Sequence, residues 1–140
     1  EAPTEGAGLL RVVIGTNPAA GAEIGETVPT GARWRVRGFR ATLATDATVA
    51  TRIARLAFSG GGAVLLIVPP SSSQTASLSR EYNGSAAPMF PTTSAPQFSW
   101  SLPPDLMLTA GTFISTSTLF LQGGDNWGDP ALMVEEWLDV

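Results

Sequence analysis

The chain has 140 residues, with 12 acids against 8 basic residues and neither cysteine nor histidine. That excludes a disulfide framework, a thiolate nucleophile, a zinc site built on Cys or His, and the commonest general base. A net charge of −4 with 14% of residues charged, against roughly 25% in ordinary soluble domains, lacks a nucleic-acid binder's positive excess and points to a surface partly covered by partners.

Turn signals cut the chain into short apolar pieces, the pattern of a single all-β domain. Residues 1–8 read as an extended N-terminal arm. Leu9–Ile14 is apolar and β-branched, a strand closed by Gly15-Thr-Asn-Pro18. Residues 21–31 are a Gly/Pro-punctuated loop with a short extended piece at Glu23-Ile24, and 33–45 form a long strand. Residues 46–58 support two readings. As a helix, Asp46 caps it and Thr48, Thr51, Arg52 and Arg55 form a polar face opposite Val49, Ile53, Leu56 and Ala57. As a strand, it relies on β-branched Thr48, Val49, Thr51 and Ile53.

Ala63–Val68 is the longest apolar run, far short of the ~20 residues of a membrane helix. It reads as a buried strand between the Gly60-Gly-Gly62 turn and Pro69-Pro70. Residues 74–82 alternate and end at Asn83-Gly84, a strong turn dipeptide. Residues 85–96 carry three prolines and read as an ordered excursion. Residues 97–102 form a short strand with Phe98 and Trp100 on one face. Residues 112–122 form a longer one that stops at Gly123-Gly124-Asp125-Asn126. For 131–138, Asp129-Pro130 is a good helix start, and a last strand closing a sheet fits as well.

Six of the eight basic residues, all arginine, lie between 33 and 55. Arg33, Arg35 and Arg37 alternate with Trp34 and Val36, which places them on one face of a strand. Beyond Gly38 the parity changes, so Gly38 is the expected site of a β-bulge, and Phe39, Ala41 and Leu43 continue the buried face. The arginine face is then solvated, turned to a neighbouring subunit, in contact with phosphate, or paired with the acidic tail. No aromatic is interleaved on it, which weakens the phosphate reading; the expectation taken is a neighbour.

Chemistry elsewhere is sparse. Asp125, Asn126 and Asp129 would offer calcium oxygen ligands, but without EF-hand spacing they read as a tight turn. Glu135 and Glu136 are strand neighbours on opposite faces, not a facing acid/base pair. Serine lacks a His or Lys partner for a hydrolase. The four tryptophans read as core or interface packing. No catalytic residue, cofactor or metal is expected.

Two segments resemble small structural proteins of tailed bacteriophages. One is Arg33-Trp-Arg-Val-Arg-Gly-Phe-Arg-Ala-Thr-Leu-Ala-Thr-Asp-Ala-Thr-Val-Ala-Thr-Arg52. The other is Leu108-Thr-Ala-Gly-Thr-Phe-Ile-Ser-Thr-Ser-Thr, followed by Leu121-Gln-Gly-Gly-Asp-Asn-Trp-Gly and Val134-Glu-Glu-Trp137. The resemblance covers a little over a third of the chain and implies a β-sandwich, with strand in both ambiguous segments. The expectation is one jelly-roll-like β-sandwich of about eight strands over residues 1–140. It would be a capsid decoration (cement) protein on the outer surface of the virion, bound to the major capsid protein and closed as a homotrimer, with no nucleic acid or membrane partner. Expected contact residues are Arg33, Arg35, Arg37, Arg40, Pro88, Phe90 and Trp127. Two alternatives stand beside it. A tail-fibre module would expose Trp100, Tyr82 and Trp127 at one end of the sandwich. A carbohydrate-active enzyme would need two carboxylates ~5–10 Å apart across a cleft.

Overall fold

Alternating inward and outward side chains build two sheets that enclose one core. The computed structural model describes residues 2–85 and 97–139. Its strands are β1 (Leu9–Ile14), β2 (Gly25–Thr27), β3 (Ala32–Ala44), β4 (Ile53–Gly60), β5 (Ala63–Val68), β6 (Ser79–Ser85), β7 (Gln97–Ser101), β8 (Met107–Leu108), β9 (Phe113–Leu119) and β10 (Asn126–Leu138). No helix occurs among the described residues. One sheet runs β1-β10-β3-β6-β7 with β8 beside β3, and the other runs β2-β9-β4-β5. The sheets pack as a β-sandwich. All pairings are antiparallel except β6 with β7. Both ambiguous segments contribute strands, as the resemblance implied. The two shortest elements, β2 and β8, carry too few residues to leave an alternation signal.

The core lies between β3, β6 and β10 on one side and β4 and β9 on the other. It is filled by Trp34, Val36, Phe39, Leu43, Leu56, Phe58, Ile114, Leu132 and Val134 among others. At its centre Tyr82 stacks on Trp100 at 5.2 Å, with Phe39 edge-on to Trp100 at 5.6 Å and Trp127 5.3 Å from Tyr82. Buried aromatics with polar atoms need hydrogen-bond partners. Trp100 Nε1 donates to Ala54 O at 2.8 Å, and the Tyr82 hydroxyl donates to Gln74 Oε1 at 2.9 Å. Burial pushes the Tyr82 phenol well above its usual range, with the charge of Arg80 partly opposing.

The bulge expected at Gly38 is present. Met133 pairs with Gly38 and Val134 with Val36, so Arg37 is the extra residue. A Cβ on Gly38 would meet Gly84 O at 3.6 Å and Met133 Cβ at 3.7 Å, which are ordinary contacts. The inserted residue, not the glycine, therefore switches the parity. A second bulge lies on β10 between Gly128 and Ala131. There Asp129 has φ 50° and Pro130 brings no N–H to the ladder, a permitted place for proline in a sheet. The dipeptide that reads as a helix start is a bulge.

Four expectations change. Residues 46–51 are loop, and the helix fails because Arg52, needed for its polar face, is fully buried. Asn83-Gly84 is not a turn but lies inside β6, between β3 and β7. Leu102 covers Gly84 so closely that a Cβ there would sit 3.3 Å from it. The extended piece at Glu23-Ile24 falls two residues later, because Ile24 is buried with its N–H donating to Thr116 Oγ1 at 2.9 Å. Finally, β5 is an edge strand with mostly exposed side chains, not a buried one, since only β4 lies beside it. The excursion at 85–96, with Pro88 and Phe90, falls almost wholly outside the described residues.

Candidate interaction surface

The arginine row of β3 faces outward and meets the chain's own last strand. Register places Arg35 opposite Glu135 and Arg33 opposite Trp137, and the bulge swings Arg37 toward the same carboxylate. Arg37 Nε and Nη2 donate to Glu135 Oε2 at 3.2 and 2.8 Å, and Arg35 Nη1 stands 3.6 Å from that oxygen. The Arg35 guanidinium also lies 5.3 Å from the centre of the Trp137 ring, within cation–π range. Arg33 Nε is 2.7 Å from Asp139 Oδ1. Burial raises the Glu135 carboxyl, but the Arg37 bonds, the Gly8 amide and the charges of Arg37 and Arg35 outweigh it and hold it below the usual carboxylate range.

The N-terminal segment seals this arrangement. Gly8 N donates to Glu135 Oε1 at 3.1 Å, Trp137 Nε1 to Gly6 O at 2.8 Å, Leu138 N to Pro3 O at 2.8 Å and Arg33 Nη2 to Thr4 O at 2.8 Å. Residues 2–8 therefore pack on their own sheet. A depression of about 550 Å³ remains between Thr4, Glu5, Arg33, Arg35, Trp137 and Asp139. Its arginines are balanced by carboxylates, so it offers no net charge to an anion. Arg40 differs: it is exposed and makes no ion pair among the described residues.

The other acids are also occupied. Glu136 faces the opposite side from Glu135, accepting from Trp34 Nε1 at 2.7 Å and from Arg11 Nη1 at 3.0 and 3.2 Å. Asp125 is fully buried. Arg52 donates to its two oxygens at 2.9 Å each, and the amides of Gln122 and Asp46 donate at 2.8 and 2.9 Å. Burial raises this carboxyl too, and the four bonds prevail and lower it. Arg52 completes itself with Asp46 Oδ1 and Ala50 O, both at 2.8 Å. The cluster pins the 46–51 loop to the Gly123-Gly124 turn, and Asp125 has no lone pair left for calcium. Pattern reading missed this clamp because its partners are 73 residues apart.

Open surface lies at the sheet edges. The β7 edge is covered, with Ser71 N donating to Ser99 O at 2.9 Å and Ser99 N to Ser71 Oγ at 2.8 Å. The β1 and β5 edges are not covered by any described residue. On β5, Val64 and Leu65 are 60% and 63% exposed, and on β1 Leu10, Val12 and Ile14 are 61%, 58% and 76% exposed. Neither strand ends in lysine or proline within its span, the usual protection of an edge. Trp127, expected at a partner contact, is 1% exposed and belongs to the core, which removes it from any contact surface. Trp100 and Tyr82 are buried with it. No protein-family model matches the chain, and comparisons with curated proteins and with solved structures find no match.

Proposed function

We propose that the protein is a virion structural component, a capsid decoration subunit that bridges major-capsid subunits on the outer surface of a phage head. The observation that carries this is β5. Its six residues AVLLIV hold no charge, they stand at a sheet edge, and their side chains are largely exposed. Contiguous apolar surface of this kind marks an interaction site. A strand from a shell subunit would satisfy its free backbone groups and bury Val64, Leu65 and Ile67 together.

Strand order supports the same reading. With β7 and β8 set aside as additions, the order β1-β10-β3-β6 over β2-β9-β4-β5 is compatible with an eight-strand jelly roll, an architecture of viral capsid and lectin domains. Fold assigns no activity by itself; the resemblance of the arginine and tail segments supplies the phage context. Arg40 is the expected contact arginine that remains free to meet an acidic surface. Apolar burial around the shell would then resist the outward pressure of packaged DNA, with no catalytic residue, cofactor, metal, nucleic acid or membrane involved. A closed homotrimer would need a head-to-tail contact between two different surfaces; the β1 edge offers another solution.

Antibody labelling of intact particles tests the assignment. Regular label over the head is the expected result. Label confined to the tail would favour the receptor-binding module, although the aromatic cluster that such a module would expose is buried here. Particles without label would overturn the virion assignment altogether.

A further inference from the structure

The free edge of β1 has an internal symmetry. Gly15 N donates to Pro130 O at 2.8 Å, which fixes the direction of every peptide in the strand. In an antiparallel ladder, N–H and C=O groups point to one neighbour at alternate residues and away from it at the others. Odd-numbered residues therefore bond to β10, and Leu10, Val12 and Ile14 aim their N–H and C=O groups at the open edge. Those three N–H groups have no partner among the described residues. The next in the series on either side are already used, Gly8 N by Glu135 Oε1 at 3.1 Å and Thr16 N by Glu26 Oε1 at 2.8 Å. The unpaired stretch is thus bounded by two carboxylates and centred on Val12.

We propose that β1 is a self-pairing edge: two copies join antiparallel about a two-fold axis through Val12. In that register Val12 faces the partner's Val12 and Leu10 faces the partner's Ile14. Every free N–H and C=O of the stretch finds its complement, since a two-fold contact requires a self-complementary surface. A shift by one pair in either direction would set Arg11 against its own copy or Val13 against Val13, and it would need the N–H of Gly8 or Thr16, which are committed elsewhere. Charge fits as well. Arg11 lies opposite the partner's Val13, and its charge is already met by Glu136 at 3.0 Å. On the outer face the exposed side chains of Leu10, Val12 and Ile14 would meet their counterparts and continue over Met133, joining two sheets into one. A second copy is the occupant because the open pattern reads the same from both ends. The inference does not depend on the capsid assignment, and it leaves β5 free.

Cysteine scanning of the full chain tests it, because the protein has no cysteine of its own. In Val12→Cys the two Cα atoms would lie about 5.5 Å apart as a hydrogen-bonded pair, inside the range a disulfide spans. In Leu10→Cys alone, or Ile14→Cys alone, the two copies would stand about 14 Å apart along the strand. Mild oxidation should crosslink V12C rapidly. L10C and I14C should crosslink only when mixed with each other. Sedimentation should give twice the 14.5 kDa chain mass, falling to once that mass in Val12→Pro, which removes an N–H that the fold does not use. Val12→Lys, which places like charges across the axis, serves as the second dissociating variant should V12P not fold. A monomer at all concentrations, a trimer indifferent to V12K, or L10C crosslinking as readily as V12C would overturn the proposal.

Discussion

Replacing Arg52 with methionine would strip Asp125 of its buried counter-charge. Arg52 and Asp125 are both at 0% side-chain exposure, and the arginine makes hydrogen bonds to Asp125, Asp46 and Ala50. Removing one partner of a buried pair costs roughly 3–5 kcal/mol, because the remaining charge is left unbalanced. For a chain of this size that corresponds to a fall in Tm of roughly 10–20 °C. The pH dependence separates a charge effect from simple loss of packing. Asp125 has a lowered pKa in the fold, so its contribution is present above the ordinary carboxylate range and lost as pH falls through the lowered value. In R52M the buried carboxylate has lost the group that kept it ionised and takes up a proton more readily. The difference between wild type and R52M in urea unfolding should therefore be largest near neutrality and shrink below about pH 4. Arg52→Met combined with Asp125→Leu should recover part of the loss, since apolar groups replace a buried ion pair well. A difference below about 1 kcal/mol, or one constant with pH, would refute the clamp.

Three further outcomes are expected. Deleting residues 1–7 removes the acceptors of Leu138 N, Arg33 and Trp137 Nε1; at about 1 kcal/mol for each of the better-buried bonds, urea unfolding should register a loss of about 2–3 kcal/mol, with a red shift of tryptophan emission as Trp137 meets water. In the turn between β4 and β5, Gly61 and Gly62 have φ of 59° and 81°, so Gly62→Ala should cost about 1–2 kcal/mol while Gly61→Asn stays near neutral in thermal unfolding. Val64→Lys with Leu65→Lys should leave stability within about 0.5 kcal/mol per site, yet abolish co-sedimentation with phage heads if β5 is the docking strand.

Much of the sandwich was legible where one strand face is buried and the other is not. The alternation of Trp34 and Val36 with arginines, and of Phe39 and Leu43 beyond Gly38, located the bulge because a single slip would turn apolar side chains outward. Ala63–Val68 was misjudged for a physical reason: an apolar run records preference, and whether it lies at the centre or the edge depends on how many strands flank it. Asn83-Gly84 and Asp129-Pro130 carry turn and cap chemistry that tertiary contacts override, through Leu102 over Gly84 and the bulge on β10. Arg52 reads as a surface residue because its buried counter-charge, Asp125, lies 73 residues away. The alternation places the arginine row on an outward face, but Arg33, Arg35 and Arg37 meet Asp139 and Glu135 of the same chain and not the expected neighbour, because register across β3 and β10 is invisible to local pattern. No alternation pattern could have disclosed which N–H groups of β1 stay unpaired.

The position of β10 bears on how the chain is made. It follows β1 and β3 far along the sequence, yet it lies between them, so those two strands have a vacancy between them until residues 126–138 leave the ribosome. Pairing across so long a sequence separation is slow, since loop closure comes before any contact repays it. Throughout that wait AVLLIV is present without its sandwich, in a form prone to meet another nascent chain. Yield from expression should therefore depend more on temperature and synthesis rate than on the stability of the finished fold, and chains truncated before β10 should be recovered as aggregates.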